Sequence, residues 1–343
     1  MTGRNSVARV LFLVVLLFFV FGTVFATART IEIKLGSTAP DNSVWADALK
    51  RMANQWSEIS DGQIRVRIYF AGFKDEADLI RKMRFNQLQA GIVSGFGLQA
   101  LYPNALAFSM PFLIQSEEEF NYVLGELGPN MASEIDKTGF KLLSWATAGW
   151  VYFYTREPIT YPEDLKKMKI ASSGTEAEDI TNAMKKLGFR PVSVSSNEVL
   201  SALAGGMVDA VYATPLMVGA MQWFGVAKHM ADMKVAPFLG GILINDRVWR
   251  QIPEDIRPEL IASAEAIAEE LDMGIKELED QAISEMKRHG LQVNEVPPEA
   301  VRQWEQLFEQ GRRGSGENIY SQDFMEKIQE TIREYHRRQE GDR

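Results

Sequence analysis

Apolar residues along this chain recur at two alternating spacings, and the alternation predicts an α/β fold. Ile31–Gly36 reads as a strand ending at the turn Ser37-Thr38-Ala39-Pro40. Beyond it Trp45, Leu49, Met52 and Trp56 recur at helical spacing, with Asp41 or Ser43 placed to cap a helix running through Ser60. Asp61-Gly62 marks a turn, and Ile64–Phe70 alternates apolar and charged residues as a half-buried strand does. A helix over Asp75–Leu88 and a short buried strand over Ala90–Ser94 complete a β-α-β-α-β order, which calls for a sheet with helices on its faces.

A second unit repeats this logic. Asp164–Met168 leads into strand Lys169–Ala171, helix Glu176–Leu187, strand Pro191–Val194, helix Asn197–Gly205 and strand Ala210–Ala213. Apolar Val235–Ile244 then returns the chain to the first sheet. From Glu254 to His289, Ile256, Leu260, Ile267, Leu271, Ile275, Leu278 and Met286 recur at threes and fours, and Gly290 supplies the stop. That length without a heptad seam fits one helix lying across two domains. Pro297-Pro298 opens a last pair of helices, and the tail Arg337–Arg343 is expected to fray.

The first residues follow a different rule. Arg4 and Arg9 precede an apolar run from Val10 to Phe21 and an Ala26-Thr27-Ala28 site, the arrangement of a secretory signal cut after Ala28. The alternative is an uncleaved inner-membrane anchor, since Val10–Phe25 approaches a short spanning length. With no cysteine, the chain holds neither a lipid-modified cysteine nor a disulfide. Removing residues 1–28 takes two arginines and no acid, which leaves 35 basic against 46 acidic residues, a net charge of −11. Such a balance is poorly suited to nucleic acid. The remaining length argues for two domains rather than one core.

Several segments then carry a resemblance. Leu101-Tyr102-Pro103 with Phe108-Ser109-Met110-Pro111-Phe112, then Asp164-Leu165-Lys166-Lys167-Met168-Lys169-Ile170, then Glu198-Val199 with Leu203 and Gly206-Met207-Val208-Asp209-Ala210, and finally Ile252-Pro253-Glu254-Asp255 stand in a specific order and spacing. In these the chain resembles the solute-binding proteins of tripartite ATP-independent periplasmic (TRAP) transporters, DctP-like, over about Ile31 to Tyr335. The resemblance implies a two-lobed periplasmic-binding-protein fold with hinge strands and a long helix spanning both lobes. One lobe would take residues 29–148 and 237–272, the other 149–236 and 273–338, with the helix of about 254–289 shared. It also implies a periplasmic receptor that closes on a ligand and delivers it to TRAP membrane permease subunits.

One position departs from the family. After the "L-K-I/L" strand the family places an arginine whose fork holds a substrate carboxylate, and here that position is Ala171. The stretch Trp150–Tyr154 likewise lacks a second arginine found in sialic-acid-type members, and Thr214 replaces a common asparagine. A buried carboxylate without a counter-charge costs several kcal/mol. A hydrophobic or amphipathic ligand is therefore expected; the alternative is a carboxylate held by a non-standard basic residue, with Arg156 and Arg190 the nearest candidates. The TRAP subgroup that works beside a tetratricopeptide-repeat periplasmic lipoprotein also lacks the arginine, and the chain is most similar to that subgroup's receptor. Its partners by this resemblance are that lipoprotein, the permease, and a small lipid-like ligand.

Candidate ligand-binding residues follow from strand ends and the resemblance: Thr38, Trp45, Phe73, Ser94, Phe96, Trp150, Tyr152, Ser172, Ser173, Ser196, Tyr212, Thr214 and Met217, with at most one of Trp223 and Phe224. Enzyme readings have less to stand on. Gly95-Phe96-Gly97-Leu98-Gln99-Ala100 fits G-x-G-x-x-A, the outline of a NAD-type site, but it follows the third strand and Pro103 soon interrupts its helix. His229, His289 and His336 are scattered, so no catalytic or metal set and no cofactor is expected. Glu117-Glu118-Glu119 after Ser116 reads as a capped helix start.

Overall fold

The computed structural model describes residues 30–70, 72–73, 75–172, 178–314 and 319–341. The expected signal segment and Ser173 lie outside these residues. Among the described residues no helix is long and apolar enough to cross a membrane.

The first lobe begins with β1 (Ile31–Ser37), α1 (Val44–Ile59), β2 (Ile64–Tyr69), α2 (Glu76–Arg84) and β3 (Ala90–Ser94). Ser43 rather than Asp41 caps α1, its hydroxyl accepting from the Ala46 N–H. Asp75 caps α2 by accepting from Asp78 at 2.7 Å. After β3 come α3 (Gly95–Gln99), a 3₁₀ turn over Pro103–Ser109 and α4 (Glu117–Asp136), which Ser116 caps as its sequence predicts.

β4 (Phe140–Thr155) is the long strand that carries the chain into the second lobe. That lobe contains α5 (Pro162–Lys166), β5 (Lys169–Ser172), α6 (Glu178–Lys186), β6 (Arg190–Ser193), α7 (Val199–Ala204), β7 (Ala210–Ala213), α8 (Pro215–Ala220) and β8 (His229–Asp232). β9 (Ala236–Asn245) then returns to the first lobe, followed by α9 (Asp246–Trp249) and the long α10 (Arg257–Arg288). The expected stop after α10 is present, with Gly290 at φ +101°. β10 (Gln292–Glu295), α11 (Pro298–Gly314) and α12 (Gln322–Gly341) finish the described chain. The tail is helical as far as Gly341 rather than frayed: Arg338 pairs with Glu334 at 2.7 Å and sits 5.2 Å from the Tyr122 ring centroid.

Strand order is β2-β1-β3-β9-β4-β7-β5-β6, with β8 joining β4 and β10 joining β8. β1, β2 and β3 pair in parallel, as do β5, β6 and β7, so each lobe has the α/β logic of its sequence. Antiparallel β4 and β9 run between the lobes, and α10 packs along β4, α1 and α8. Apolar residues pay out separate cores. Trp56, Met52, Leu49 and Ile33 fill one in the first lobe. In the second, the fully buried Trp304 stacks on Phe153 at 5.5 Å and on Phe189 and Phe308 at 6.4 Å.

Candidate functional site

A cavity of about 270 Å³ opens between the lobes, against the crossing strand β4. The carboxyl ends of β1 and β3 place Thr38, Ser94 and Phe96 on its first wall, joined by Trp45 from α1 and by Phe70 and Phe73. The floor is Ala146, Thr147, Ala148 and Val151 of β4. Ala171 at β5, Ser195, Ser196 and Asn197 before α7, and Tyr212, Thr214, Met217 and Trp223 form the opposite wall. Strand ends facing a cleft are where α/β folds bind ligands.

The described lining carries two acids, Asp75 and Glu76, and no lysine, arginine or histidine. Glu76 opens α2 and reaches across to the β3–α3 junction. Its carboxylate accepts the Ser94 N–H on both oxygens, at 3.0 and 3.1 Å, the Ser94 hydroxyl at 2.7 Å, the Gly97 N–H at 2.9 Å and the Thr38 hydroxyl at 3.3 Å. Burial raises its pKa above the usual carboxylate value, while the bonds from Ser94, Gly97 and Thr38 act in the opposite direction. Gly97 has a purpose here: a Cβ at that position would lie 2.8 Å from the Glu76 carboxylate and 2.6 Å from the Val93 side chain. The glycines of G-x-G-x-x-A thus admit a carboxylate and a tight junction rather than a pyrophosphate.

Beneath the floor, α10 grips the crossing strand. The Thr147 hydroxyl donates to Asp272 at 2.5 Å, and the Trp150 N–H donates to Glu279 at 2.9 Å. Between these contacts the β4–β9 register shifts, and Gly149 takes φ +77°. Burial pushes the Glu279 pKa up to about 7, against the Trp150 N–H and Lys234, with Asp280 and Glu117 adding to the rise.

Of the candidates read from sequence, Thr38, Trp45, Phe73, Ser94, Phe96, Ser196, Tyr212, Thr214 and Met217 line the cavity. Trp150, Tyr152 and Ser172 do not, because adjacent strand residues point to opposite faces. Val151 and Ala171 face the cavity, so Trp150 and Tyr152 are turned into the core and Ser172 is buried behind the wall. Trp223 lines the cavity and Phe224 does not. Neither suspected arginine is on the lining: Arg156 donates to the Leu203 carbonyl at 2.7 Å and Arg190 to the Lys167 carbonyl at 3.2 Å. Lys82 comes near, but its Nζ lies over the Phe73 ring at 5.3 Å. Sequence reasoning missed Glu76, which local pattern shows only as an acid in a first helical turn, and it missed Phe70, Thr147 and Phe238. Among the described residues no acid, histidine or cysteine cluster suits a metal ion.

Comparison with known proteins agrees with this architecture. The family described as bacterial extracellular solute-binding protein, family 7 (DctP), matches residues 35–313. The C4-dicarboxylate-binding periplasmic protein DctP of Rhodobacter capsulatus is 28% identical over 298 residues, covering 82% of this chain and 86% of that protein. The sialic acid-binding periplasmic protein SiaP of Vibrio cholerae is 22% identical over 298 residues, 84% of this chain and 91% of its own. Among solved structures, a TRAP periplasmic solute-binding protein of Ralstonia eutropha with bound 2-acetolactate superposes with a TM-score of 0.80 at 19% identity, covering 89% of this chain and 99% of that one. An extracytoplasmic solute receptor of Bordetella pertussis binding pyroglutamic acid gives 0.79 at 17% identity, over 88% and 99%. With a family match over most of its length and the two-lobed fold around an interlobe cavity, the chain belongs to the DctP family, family 7 of the bacterial extracellular solute-binding proteins.

Proposed function

We propose that this receptor binds an uncharged hydrophobic or amphipathic molecule in the interlobe cavity and hands it to TRAP permease subunits. One observation carries the reading: the described lining has two carboxylates and no basic side chain, with Ala171 where the resemblance puts the clamping arginine. An anionic ligand entering there gives up its hydration without a counter-charge, at a cost of several kcal/mol. Phe70, Phe73, Phe96, Val151, Met217 and Phe238 offer apolar surface instead, and the Ser196 and Asn197 side chains stand at the opposite wall. A polar ligand end fits against those two, with the apolar body toward β4.

Thr38, Trp45, Phe73, Ser94, Phe96, Ser196, Tyr212, Thr214 and Met217 are the proposed ligand-binding set. The lobes divide where β4 crosses near Gly149 and β9 re-enters near Pro237, so residues 29–148 and 237–272 close against 149–236 and 273–338. Export by a signal peptide cut after Ala28 places the receptor in the periplasm. A tetratricopeptide-repeat lipoprotein is its proposed partner in passing on a poorly soluble cargo, and no association of the two purified proteins at micromolar concentration would remove that element.

Native mass spectrometry of the secreted protein, followed by denaturing extraction, tests the ligand class. A co-purifying neutral apolar molecule is the expected result. A small carboxylate would instead favour the second reading, in which a basic residue takes over the arginine's role. That reading draws on the relatives, since proteins of this fold have been solved with glucuronate and with pyroglutamic acid.

A further inference from the structure

Glu76 presents a carboxylate to the cleft and forms no ion pair among the described residues. Every group it meets there can donate to it. The Ser94 and Gly97 N–H groups can only donate, so the oxygen they share accepts from both, and donors gathered on one carboxyl group favour its ionised form. The two hydroxyls complete the set. These same groups, at the ends of β1 and β3, are the ones the first wall would otherwise offer a ligand's oxygens.

We propose that Glu76 sets the charge selectivity of the cleft: it occupies the donors of the first wall and holds a fixed negative charge against the ligand, so that neutral molecules enter and anions are excluded. The inference rests on the reading of the cleft as an apolar site and names the residue that enforces it. Asp75, beside it on the lining, adds to the same field, and no lysine or arginine of the described lining opposes it. At a separation of a few ångströms and an effective dielectric constant of ~20, one uncompensated charge changes the affinity of an anion by about tenfold or more. Glutamine is the informative replacement. Its carbonyl oxygen can take the place of Oε2, accepting the Ser94 and Gly97 N–H groups and the Ser94 hydroxyl, while its amide replaces Oε1 and faces the Thr38 hydroxyl, so the charge is lost together with the second branch of the shared Ser94 N–H contact.

The test uses N-phenyl-1-naphthylamine and its 8-sulfonate, two fluorescent probes that share an apolar scaffold and differ by one negative charge. Each is titrated at pH 8 into the wild-type protein and into Glu76→Gln, with mutual displacement at one-to-one stoichiometry defining the common site. Wild type should prefer the neutral probe by about tenfold or more. Glu76→Gln should narrow that ratio to roughly threefold or less, chiefly by tightening the sulfonate. Equal binding of both probes by wild type would overturn the role of Glu76 while leaving the apolar cleft intact. So would an unchanged ratio in Glu76→Gln, or equal losses for both probes, which would make Glu76 a purely structural support. If neither probe binds wild type, the apolar reading itself falls. Should Glu76→Gln fail to fold, Asp75→Asn gives a second reading of the same field, and it too must tighten the sulfonate selectively.

Discussion

Glu76 and Glu279 are both carboxylates drawn out of water, each beside a glycine, and they solve that problem differently. Glu76 is met by two backbone N–H groups and two hydroxyls, in a wall that faces the ligand. Glu279 lies under the crossing strand with one backbone donor, from Trp150, and Lys234 as its opposing charge. Desolvation is the leading influence on both. A dense set of donors makes the first a fixed part of the binding surface. The second has a sparse set, and burial pushes its pKa up to about 7. Charge at the wall and charge under the crossing strand can therefore be perturbed separately.

Gly149→Ala should break the hinge side most severely. Its φ of +77° disfavours any L side chain, and a Cβ there would stand 2.1 Å from a Glu279 oxygen. Backbone strain plus a displaced, unpaired carboxylate and N–H together predict a loss of about 3–5 kcal/mol in urea denaturation. A loss below about 1 kcal/mol would mean that the clasp carries little of the fold's stability.

The next effect is a pH dependence. In the folded protein Glu279 binds its proton more tightly than at its usual 4.5, with a pKa of about 7. The stabilisation from that proton is therefore complete below about pH 4.5 and lost as pH rises through 7. Relative to Glu279→Gln, wild type should lose up to about 3 kcal/mol between pH 4.5 and pH 7.5, measured by urea midpoints at each pH. A parallel pair of curves would show that the proton is bound no differently in the folded state.

How much of this was legible in sequence follows from the range over which each signal acts. The cap at Ser116, the choice of Asp41 or Ser43 for the first helix and the strand Ala90–Ser94 are written in local pattern, and the structure has Ser116, Ser43 and that strand in those places. The cavity wall is less local. Strand ends predicted Thr38, Ser94 and Phe96, but the face of β4 depends on register against β9, which a bulge shifts between Thr147 and Trp150. That is why the bulky Trp150 and Tyr152 attracted attention while Val151 is the residue at the cavity. Glu76 was invisible for a further reason. Its partners Thr38, Ser94 and Gly97 are remote in sequence, and only the fold brings those donors to one carboxylate.

On the wall, Gly97→Ala is expected to cost less than the hinge substitution. The added methyl meets Val93 at 2.6 Å and the Glu76 carboxylate at 2.8 Å, but Gly97 is not among the positive-φ glycines. Overpacking without backbone strain predicts a loss of about 1–3 kcal/mol in the same denaturation assay. A cost equal to that of Gly149→Ala would erase the distinction between the two sites.

The smallest effect should come from Thr38→Val. At 3.3 Å the Thr38 hydroxyl is the longest of the contacts to Glu76, and it is exposed, so water stands ready to replace it. It is also the last in order among the influences on the Glu76 pKa. Valine keeps the shape and removes the donor, and the two N–H groups and the Ser94 hydroxyl continue to hold the carboxylate. Urea denaturation should therefore detect a change of no more than about 0.5 kcal/mol. A loss above about 1.5 kcal/mol would place the hydroxyl, not the backbone amides, at the centre of the cluster. The Glu76 charge would then be only as fixed as one rotatable side chain at the mouth of the cleft, and the contrast with Glu279 would weaken accordingly.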